Sequence, residues 1–352
     1  MGRKAVSTLF YLLSLVLTGL LLAAAVASWR ASYISPEQGR FWASLALTMP
    51  VILLLNLGAL IYWLVCGKWA VALMPAAALL CNMGYIASML QLPDLPDWGG
   101  DRGSAELRVA TLNTYGFRRY DTKELSAYAV ARLISREKAD VFCMQEFPED
   151  KAFPPDTIAA FFTRTMPYFV YGTGAAIVSR YPILDHRYVR FPDSWNDYLW
   201  ADLRVGADTV RVISVHLQTS GISSLRGRFK KDYNRDAPVD QMFGTMERNS
   251  RIRAQQVREI RSLIDSTRYP LVLCGDFNDT PSSYTYRRMK GRLTDGFREA
   301  GSGYGGTFRY LGGVLRIDYI LYNDAFRGVR YFTPRDDVSD HKAVIAELRF
   351  NR

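Results

Sequence analysis

Residues 271–279 read LVLCGDFND, and this stretch decides how the rest of the chain is interpreted. The apolar run 271–274 has the length of one buried strand, which is expected to stop at Gly275. Three polar side chains follow, those of Asp276, Asn278 and Asp279. A carboxylate at a strand end can bind a metal or take a proton, and a carboxamide can donate a hydrogen bond to a phosphoryl oxygen. The alternative is a plain turn, because Gly, Asn and Asp are common turn residues.

The composition changes sharply near residue 100. Residues 1–100 contain five Lys or Arg and three acidic residues, whereas residues 101–352 contain 39 basic and 31 acidic residues. The first part is therefore almost uncharged. The second part has the composition of a water-soluble domain with a net charge of +8. Within it, the basic segment 218–250 either binds nucleic acid or a phospholipid surface or is a solvated surface loop.

Three uncharged apolar segments, at about residues 9–27, 41–65 and 69–90, are each long enough to span a bilayer. They predict three transmembrane helices, and they argue against a cleaved signal peptide and against the buried helices of a soluble core. We therefore expect a membrane domain over residues 1–92, a linker rich in Pro and Gly over 93–103, and a water-soluble domain over 104–352.

The positions of the charges predict the orientation of these spans. Arg3 and Lys4 favour a cytoplasmic N-terminus. Three spans then place the water-soluble domain on the outer face of the membrane, in the periplasm or outside the cell. Within that domain, many short strands, often linked as hairpins, predict a layered α/β fold with mixed sheets rather than a doubly wound parallel sheet. The sequence DTKE at 121–124 resembles a capping box and predicts the start of a helix.

Polar side chains stand at the ends of six predicted strands. Some have simple structural alternatives, such as a turn residue at Asn113, a surface carboxylate at Glu146 and a buried core histidine at His216. Asp318 is harder to explain in this way, because a carboxylate between apolar residues on a buried strand needs a partner. The strand-end residues are Asn113, Glu146, His216, Asp276 with Asn278, Asp318, and Asp340 with His341.

Together these residues provide what metal-assisted hydrolysis of a phosphodiester requires. Their oxygen atoms suit Mg²⁺ or Mn²⁺ better than zinc. Two of the three histidines in the chain belong to the set, and they can stabilise or protonate phosphoryl oxygens.

The order of these motifs resembles the endonuclease/exonuclease/phosphatase superfamily, over about residues 105–350. This superfamily contains deoxyribonuclease-I-like nucleases, abasic-site endonucleases, inositol-polyphosphate 5-phosphatases and neutral sphingomyelinases. The resemblance implies a four-layer α/β/β/α sandwich, with the active site at one end of two packed sheets. The matching motifs are LN at 112–113, QE at 145–146, VSRYPI at 178–183, VHL at 215–217, GDFND at 275–279, IDYI at 317–320 and SDH at 339–341.

The resemblance also implies a metal site. Glu146 resembles the principal metal ligand of the family, with Asn113 beside it. Asp340 resembles an additional carboxylate on the metal side. The implied cofactor is Mg²⁺, or alternatively Mn²⁺.

The remaining residues resemble the catalytic groups of the family. Asp276 matches the residue that activates the attacking water, and Asn278 matches the one that orients the phosphate. His341 resembles a phosphate-contacting histidine held by Asp318, and His216 matches the second histidine of the nuclease and phosphatase branches.

The resemblance therefore implies a membrane-anchored, metal-dependent hydrolase of phosphoester or phosphodiester bonds. The substrate stays open between a nucleic acid and a phospholipid, sphingomyelin or inositol phosphate. The alternative from a different functional class is a membrane-anchored binding protein without catalytic turnover. The complete set of motif residues argues against it.

Overall fold

The computed structural model describes residues 2–92, 104–148, 154–221 and 239–352. The predicted linker at 93–103 lies outside these residues, so the predicted domain boundary there stays a prediction. The N-terminal elements are, in chain order, helices α1 Gly2–Ala31, α2 Arg40–Leu47, α3 Met49–Val65, α4 Trp69–Cys81 and α5 Met83–Met89, and strand β1 Leu90–Gln91.

Two of the three predicted membrane spans are each broken by a bend. Helices α2 and α3 meet at an angle of 57°, and α4 and α5 meet at 58°. Pro50 lies in the first turn of α3, where its ring fits but its missing N–H cannot continue the hydrogen bonds of α2. In the described part of the chain, α1 alone is one straight helix long and apolar enough to cross a membrane, and the number rises to three if each bent pair is one span.

The apolar helices α1, α3 and α4 pack on one another, and polar side chains link them. Asn56 Nδ2 in α3 donates to the carbonyl oxygen of Leu21 in α1 at 3.2 Å. Trp63 Nε1 donates to Thr18 Oγ1 of α1 at 2.8 Å. Such hydrogen bonds between apolar helices are a common means of helix association in lipid. The outer surface of the group stays apolar, with Leu54 and Leu73 more than half exposed.

The rest of the chain forms a domain built on two sheets. Helix α6 begins later than the DTKE sequence predicts, because residues 121–124 form a turn in which Lys123 has a φ of 61°. In chain order the elements are β2 Leu107–Asn113, α6 Ala127–Arg136, β3 Val141–Gln145, α7 Pro155–Ala160, β4 Tyr168–Tyr171, β5 Ala175–Ser179, β6 Ile183–Arg190, β7 Asp197–Val205, β8 Asp208–His216, α8 Val239–Ser266, β9 Leu271–Asp276, α9 Tyr284–Lys290, β10 Thr294–Asp295, α10 Gly296–Ala300, β11 Gly303–Tyr304, β12 Asp318–Tyr322, β13 Phe326–Phe332 and β14 Val344–Phe350.

The two large sheets pack face to face. The first has the strand order β10-β12-β9-β8-β7-β6, and the second has the order β13-β14-β2-β3-β5-β4. Buried side chains such as Val212 and Cys274 from the first sheet meet Val109 and Cys143 from the second. Helices α8 and α9 pack on the outer face of the first sheet, and α6 and α7 pack on the outer face of the second. The predicted α/β sandwich of two sheets is confirmed.

The central strand β9 continues one residue beyond the predicted stop at Gly275, to Asp276. The reason is its parallel neighbour β8, which pairs Val215 with Gly275 and His216 with Asp276. Gly275 has a φ of 127°, and a Cβ atom there would lie 2.1 Å from the backbone oxygen of Val215. Glycine therefore allows the close approach that sets His216 beside Asp276.

The apolar helices and the two-sheet domain share a buried contact. Arg316 is fully buried, and it donates to Asp295 Oδ1 at 2.6 Å and to the carbonyl oxygen of Ser88 in α5 at 2.8 Å. Burial alone would raise the pKa of Asp295, but the charge of Arg316 outweighs this effect and lowers it. A short antiparallel pairing of β1 with β11 extends the same contact.

Replacing Gly275 by Ala tests the close approach of β8 and β9. We expect Gly275→Ala to destabilise the chain by at least about 2 kcal/mol more than Gly206→Ala, because the new methyl group overlaps the Val215 oxygen. Gly206 also has a positive φ, 62°, but a Cβ atom there would have no neighbour within 4 Å, so Gly206→Ala isolates the conformational cost of about 1–2 kcal/mol. Denaturant unfolding of the full chain in detergent measures both, and equal losses would contradict the steric argument.

Candidate active site

Four polar residues form one row across the first sheet. The strand registers pair Asp197 with His216, His216 with Asp276, and Asp276 with Asp318. Neighbouring strands are about 4.8 Å apart, so these side chains stand side by side at one end of the sheet. Three members of the row were predicted from the sequence. Asp197 was not.

The second sheet brings two more predicted residues to the same edge. Asn113 ends β2 in register with Gln145, and Glu146 follows at once. Asn113 Nδ2 donates to Glu146 Oε1 at 2.9 Å and to Asp276 Oδ2 at 3.0 Å. One amide therefore connects a carboxylate of each sheet. Glu146 has a φ of 50°, a conformation that non-glycine residues adopt at a cost and that is frequent at functional sites.

His341 and Asp318 form the pair that the sequence suggested. His341 Nδ1 lies 2.9 Å from Asp318 Oδ2, and both side chains are buried. Burial by itself would lower the pKa of His341, but the charges of Asp318 and Asp276 outweigh it and raise the pKa to about 10. At neutral pH the imidazole is therefore protonated, and the carboxylate of Asp318 fixes its orientation.

Asp276 lies between the two histidines. Its Oδ2 atom is 3.8 Å from His216 Nε2 and 3.8 Å from His341 Nε2. These distances exceed a hydrogen bond, so both imidazole edges face a common space next to the carboxylate. Burial raises the pKa of Asp276 to about 6, although the charge of His341 opposes the increase. The group is then ionised at neutral pH and is a stronger base than a surface aspartate.

Asn278 and Asp340 complete the predicted set. Asn278, with a φ of 52°, donates from its backbone N–H to Asp276 Oδ1 at 2.8 Å and from Nδ2 to the Leu217 oxygen at 2.9 Å. Asp340 is buried next to His341, and its Oδ1 accepts from Ser339 Oγ at 3.2 Å. Every predicted site residue thus lies at this end of the sandwich.

The chemistry of the donor set fits a hard divalent cation. Burial raises the pKa of Asp340, and the charge of Glu146 raises it further, so two carboxylates face each other with an unfavourable interaction that a cation would relieve. Asn113 Oδ1 accepts from the backbone N–H of Tyr115 at 3.1 Å, and its Nδ2 donates to Glu146 and Asp276. Direct ligation of a metal by Asn113 stays a prediction.

A second group of potential ligands is more compact. The ligand atoms of Asp276, Asp318 and His341 all lie within 4.8 Å of one another. Since His341 Nδ1 is already hydrogen-bonded to Asp318, we assign these two residues to the charge pair and not to a metal. The carboxylate of Glu146 is more accessible to a metal ion, because 39% of the Glu146 side chain is exposed.

Two features of the site were not predicted from the sequence, and the first of them is Asp197. Burial raises the pKa of Asp197 to about 6, its Oδ2 accepts from the Tyr188 hydroxyl at 3.1 Å, and its buried Oδ1 has no partner among the described residues. The signal was its place at the start of β7, the strand that runs antiparallel to β8 and its His216. The second missed feature concerns the walls of the cleft.

The site opens into a cleft of about 1060 Å³. Its floor carries the residues described above, and one wall is apolar. Ala43 and Leu47 of α2 contribute to that wall, and Leu47 packs against a cluster that contains Phe308 and Leu315. The ring of Phe308 lies 4.8 Å from that of His341. A segment predicted to be surrounded by lipid therefore lines the cleft.

Comparisons with known proteins agree with this description. Residues 110–341 match the model of the endonuclease/exonuclease/phosphatase family, and residues 7–89 match a domain of unknown function. A search of curated proteins found no significant match.

Several solved structures share the fold at low sequence identity. An endonuclease/exonuclease/phosphatase from Beutenbergia cavernae is 20% identical, with a TM-score of 0.53, over 69% of this chain and 71% of that chain. A humanized D. rerio TDP2 is 16% identical, with a TM-score of 0.51, over 69% of this chain and 98% of that chain. At these identities the likeness concerns the fold alone.

The charge pair can be tested through the titration of His341. We expect Asp318→Asn to lower the pKa of His341 from about 10 toward its ordinary value of 6.5, because burial then acts without the neighbouring charge of Asp318. NMR titration of ¹³C-labelled histidine in metal-free buffer follows the three histidines of the full chain. Asp185→Asn, next to the exposed His186, is the control, and a pKa that stays near 10 would refute the pair.

Proposed function

Because the chain belongs to the endonuclease/exonuclease/phosphatase family, we propose that it is a membrane-anchored, metal-dependent hydrolase of phosphoester bonds. One observation carries this proposal. A buried carboxylate, Asp276, lies 3.8 Å from the Nε2 atoms of two histidines, and an amide links it to the open carboxylate of Glu146. Hydrolysis of a phosphoester uses this combination of a base, imidazole donors and a metal ligand.

The metal of this proposal would be held by Glu146 and Asp340, with Asn113 beside them. When bound, Mg²⁺ or Mn²⁺ would supply Lewis-acid stabilisation of negative charge. The residues of the chain provide everything else that the reaction needs.

Asp276 is the base that takes a proton from the attacking water. The protonated imidazole of His341 places its positive charge at the phosphoryl oxygens, and Asp318 keeps the ring in position through Nδ1. His216 offers a second imidazole edge to the same space. Asn278 donates a hydrogen bond from its backbone N–H to Asp276, which keeps this carboxylate in position. Its role toward the substrate is to orient the phosphate.

Membrane anchoring is part of the proposal, and it is supported by the apolar surface of α1, α3 and α4. Tyr33 and Glu37, just beyond the C-terminal end of α1, contact Arg287 and Arg258 of the two-sheet domain. One span or three spans both place this domain on the side opposite the N-terminus. With Arg3 and Lys4 on the cytoplasmic side, the catalytic domain faces outward.

The apolar wall of the cleft favours a phospholipid over a nucleic acid as the substrate. Leu47 and Phe308 offer contact to an acyl chain close to His341, and α2 leads directly into the apolar helix α3. A nucleobase could stack on an aromatic ring, but nucleic acid has no aliphatic chain to place against Leu47. We therefore favour a phosphoester lipid, and a nuclease is the alternative within the same reaction class.

The catalytic roles can be tested with a chromogenic phosphodiester. We expect the full chain in detergent to hydrolyse bis(4-nitrophenyl) phosphate in the presence of Mg²⁺ or Mn²⁺. Addition of EDTA should abolish this hydrolysis. Asp276→Asn and His341→Ala should each lower kcat by about a hundredfold or more, because they remove the base or the charge at the phosphoryl oxygens.

The matched control is His186→Ala, which changes the exposed histidine outside the site and should leave the rate unchanged. Retained turnover in Asp276→Asn or His341→Ala would contradict the roles. A folded wild-type chain without turnover of any phosphodiester would favour a binding protein.

The substrate class can be tested at the apolar wall. We expect Leu47→Gln to lower the turnover of phospholipid in vesicles about tenfold relative to that of the soluble ester, because it removes apolar contact for the lipid chain. Leu184→Gln, at an exposed leucine of β6 that does not line the cleft, should leave this ratio unchanged. Cleavage of DNA or RNA without turnover of any phospholipid would instead support the nuclease.

A further inference from the structure

A second cavity, of about 770 Å³, lies between the apolar helices and the two-sheet domain, apart from the cleft with the candidate active site. The helices contribute Trp29, Asn82 and Tyr85 to its lining. The two-sheet domain contributes six cationic side chains and a single acidic one, Asp265. The cationic residues are Arg261, Arg287, Arg288, Lys290, Arg292 and Arg298.

Most of this positive charge has no counter-charge within the described residues. Arg261 pairs with Asp265, and Arg287 stacks on the ring of Tyr33 with its guanidinium carbon 3.3 Å from the ring centre. In the described part of the chain, no ion pair involves any of the remaining four cations. Burial lowers the pKa of Lys290, and the charge of Arg298 lowers it further. The crowded cations therefore favour the arrival of an anion.

Asn82 stands at the bend between α4 and α5 and contributes to the lining of the cavity. Its side chain is 1% exposed, and its Nδ2 donates to the carbonyl oxygens of Ala78 and Ala25. These buried hydrogen bonds hold the bend and fix the helical edge of the cavity.

The position of the cavity identifies the kind of anion. It lies where α1 ends and where α4 bends, so its helical side is at the boundary of the apolar region. Trp29 is 40% exposed and contacts Tyr33 at 5.2 Å between ring centroids. Such aromatic residues mark the level of lipid head groups, where basic pockets meet anionic lipids.

We propose that this cavity, the basic cavity, binds the phosphate of an anionic glycerophospholipid head group. The bound lipid then links the helices to α8 and α9 and seats the two-sheet domain on the bilayer. Its volume is within the range of about 300–1000 Å³ that is usual for small-ligand sites. This inference concerns a site separate from the candidate active site and does not depend on hydrolysis.

Short-chain lipids test the proposal on the full chain in detergent. We expect dioctanoyl phosphatidylglycerol to raise the Tm in a saturable manner, and dioctanoyl phosphatidylcholine at the same concentration to leave it unchanged. The double variant Arg288→Glu/Arg292→Glu should lower the apparent affinity for phosphatidylglycerol at least about tenfold, because two cations of the cavity become anions. Arg288→Gln/Arg292→Gln provides the same test if the charge-reversed chain does not fold.

The control is Arg327→Glu/Arg349→Glu, which makes the same change of charge at two exposed, paired positions of β13 and β14. This variant should keep the response to phosphatidylglycerol. An equal loss in the control, or equal stabilisation by phosphatidylcholine, would overturn the proposal. Saturable stabilisation by inorganic phosphate alone, or competition by a DNA oligonucleotide, would also overturn it, since the ligand would then not be a lipid.

Discussion

The amide of Asn113 joins the two sheets at the edge where the candidate site lies. It donates to Glu146 at 2.9 Å and to Asp276 at 3.0 Å, and these carboxylates belong to different sheets. Directly before Glu146 in the chain, Gln145 Nε2 donates to Ser214 Oγ of the opposite sheet at 2.8 Å. A sandwich core made of apolar side chains can slide, because dispersion contacts have no direction. These directed hydrogen bonds fix the lateral position of the sheets, and the distances from His216 and Asp276 of the first sheet to Glu146 of the second depend on that position.

The sequence was sufficient for many of the strands and for most residues of the candidate site because the polar groups stand at one end of an apolar run of strand length. His216 and Asp276 follow such a run and Asp318 precedes one, and all three stand in one row. Asp197 was missed because its membership in that row depends on the antiparallel register of β7 with β8, which the local pattern does not contain. The helix predicted at 121–124 was placed too early for a related reason. A capping-box pattern is permissive, and the chain there turns with Lys123 in the left-handed region.

The apolar N-terminal region has a second role that hydropathy alone does not indicate. Its bends at Thr48 and Asn82 let the short helices α2 and α5 contact the two-sheet domain, while α2 also stays packed on α1. Ser282 Oγ donates to the Ala46 oxygen of α2 at 2.7 Å, which fixes one of these contacts. An uncharged run of some 20 residues is read as lipid-facing over its whole length, since composition does not show which residues face protein. Here such runs line both the cleft and the basic cavity.

The buried contact of Arg316 has a consequence for biosynthesis. The ion pair of Arg316 with Asp295 is completed by the carbonyl oxygen of Ser88, which lies more than 200 positions earlier in the chain. Ribosomes release the helical region first, and N-terminal parts generally fold before later ones. Helix α5, which carries Ser88, is then already formed when Arg316 is synthesised. The carbonyl oxygen of Ser88 is available as the buried contact of Arg316 with Asp295 forms.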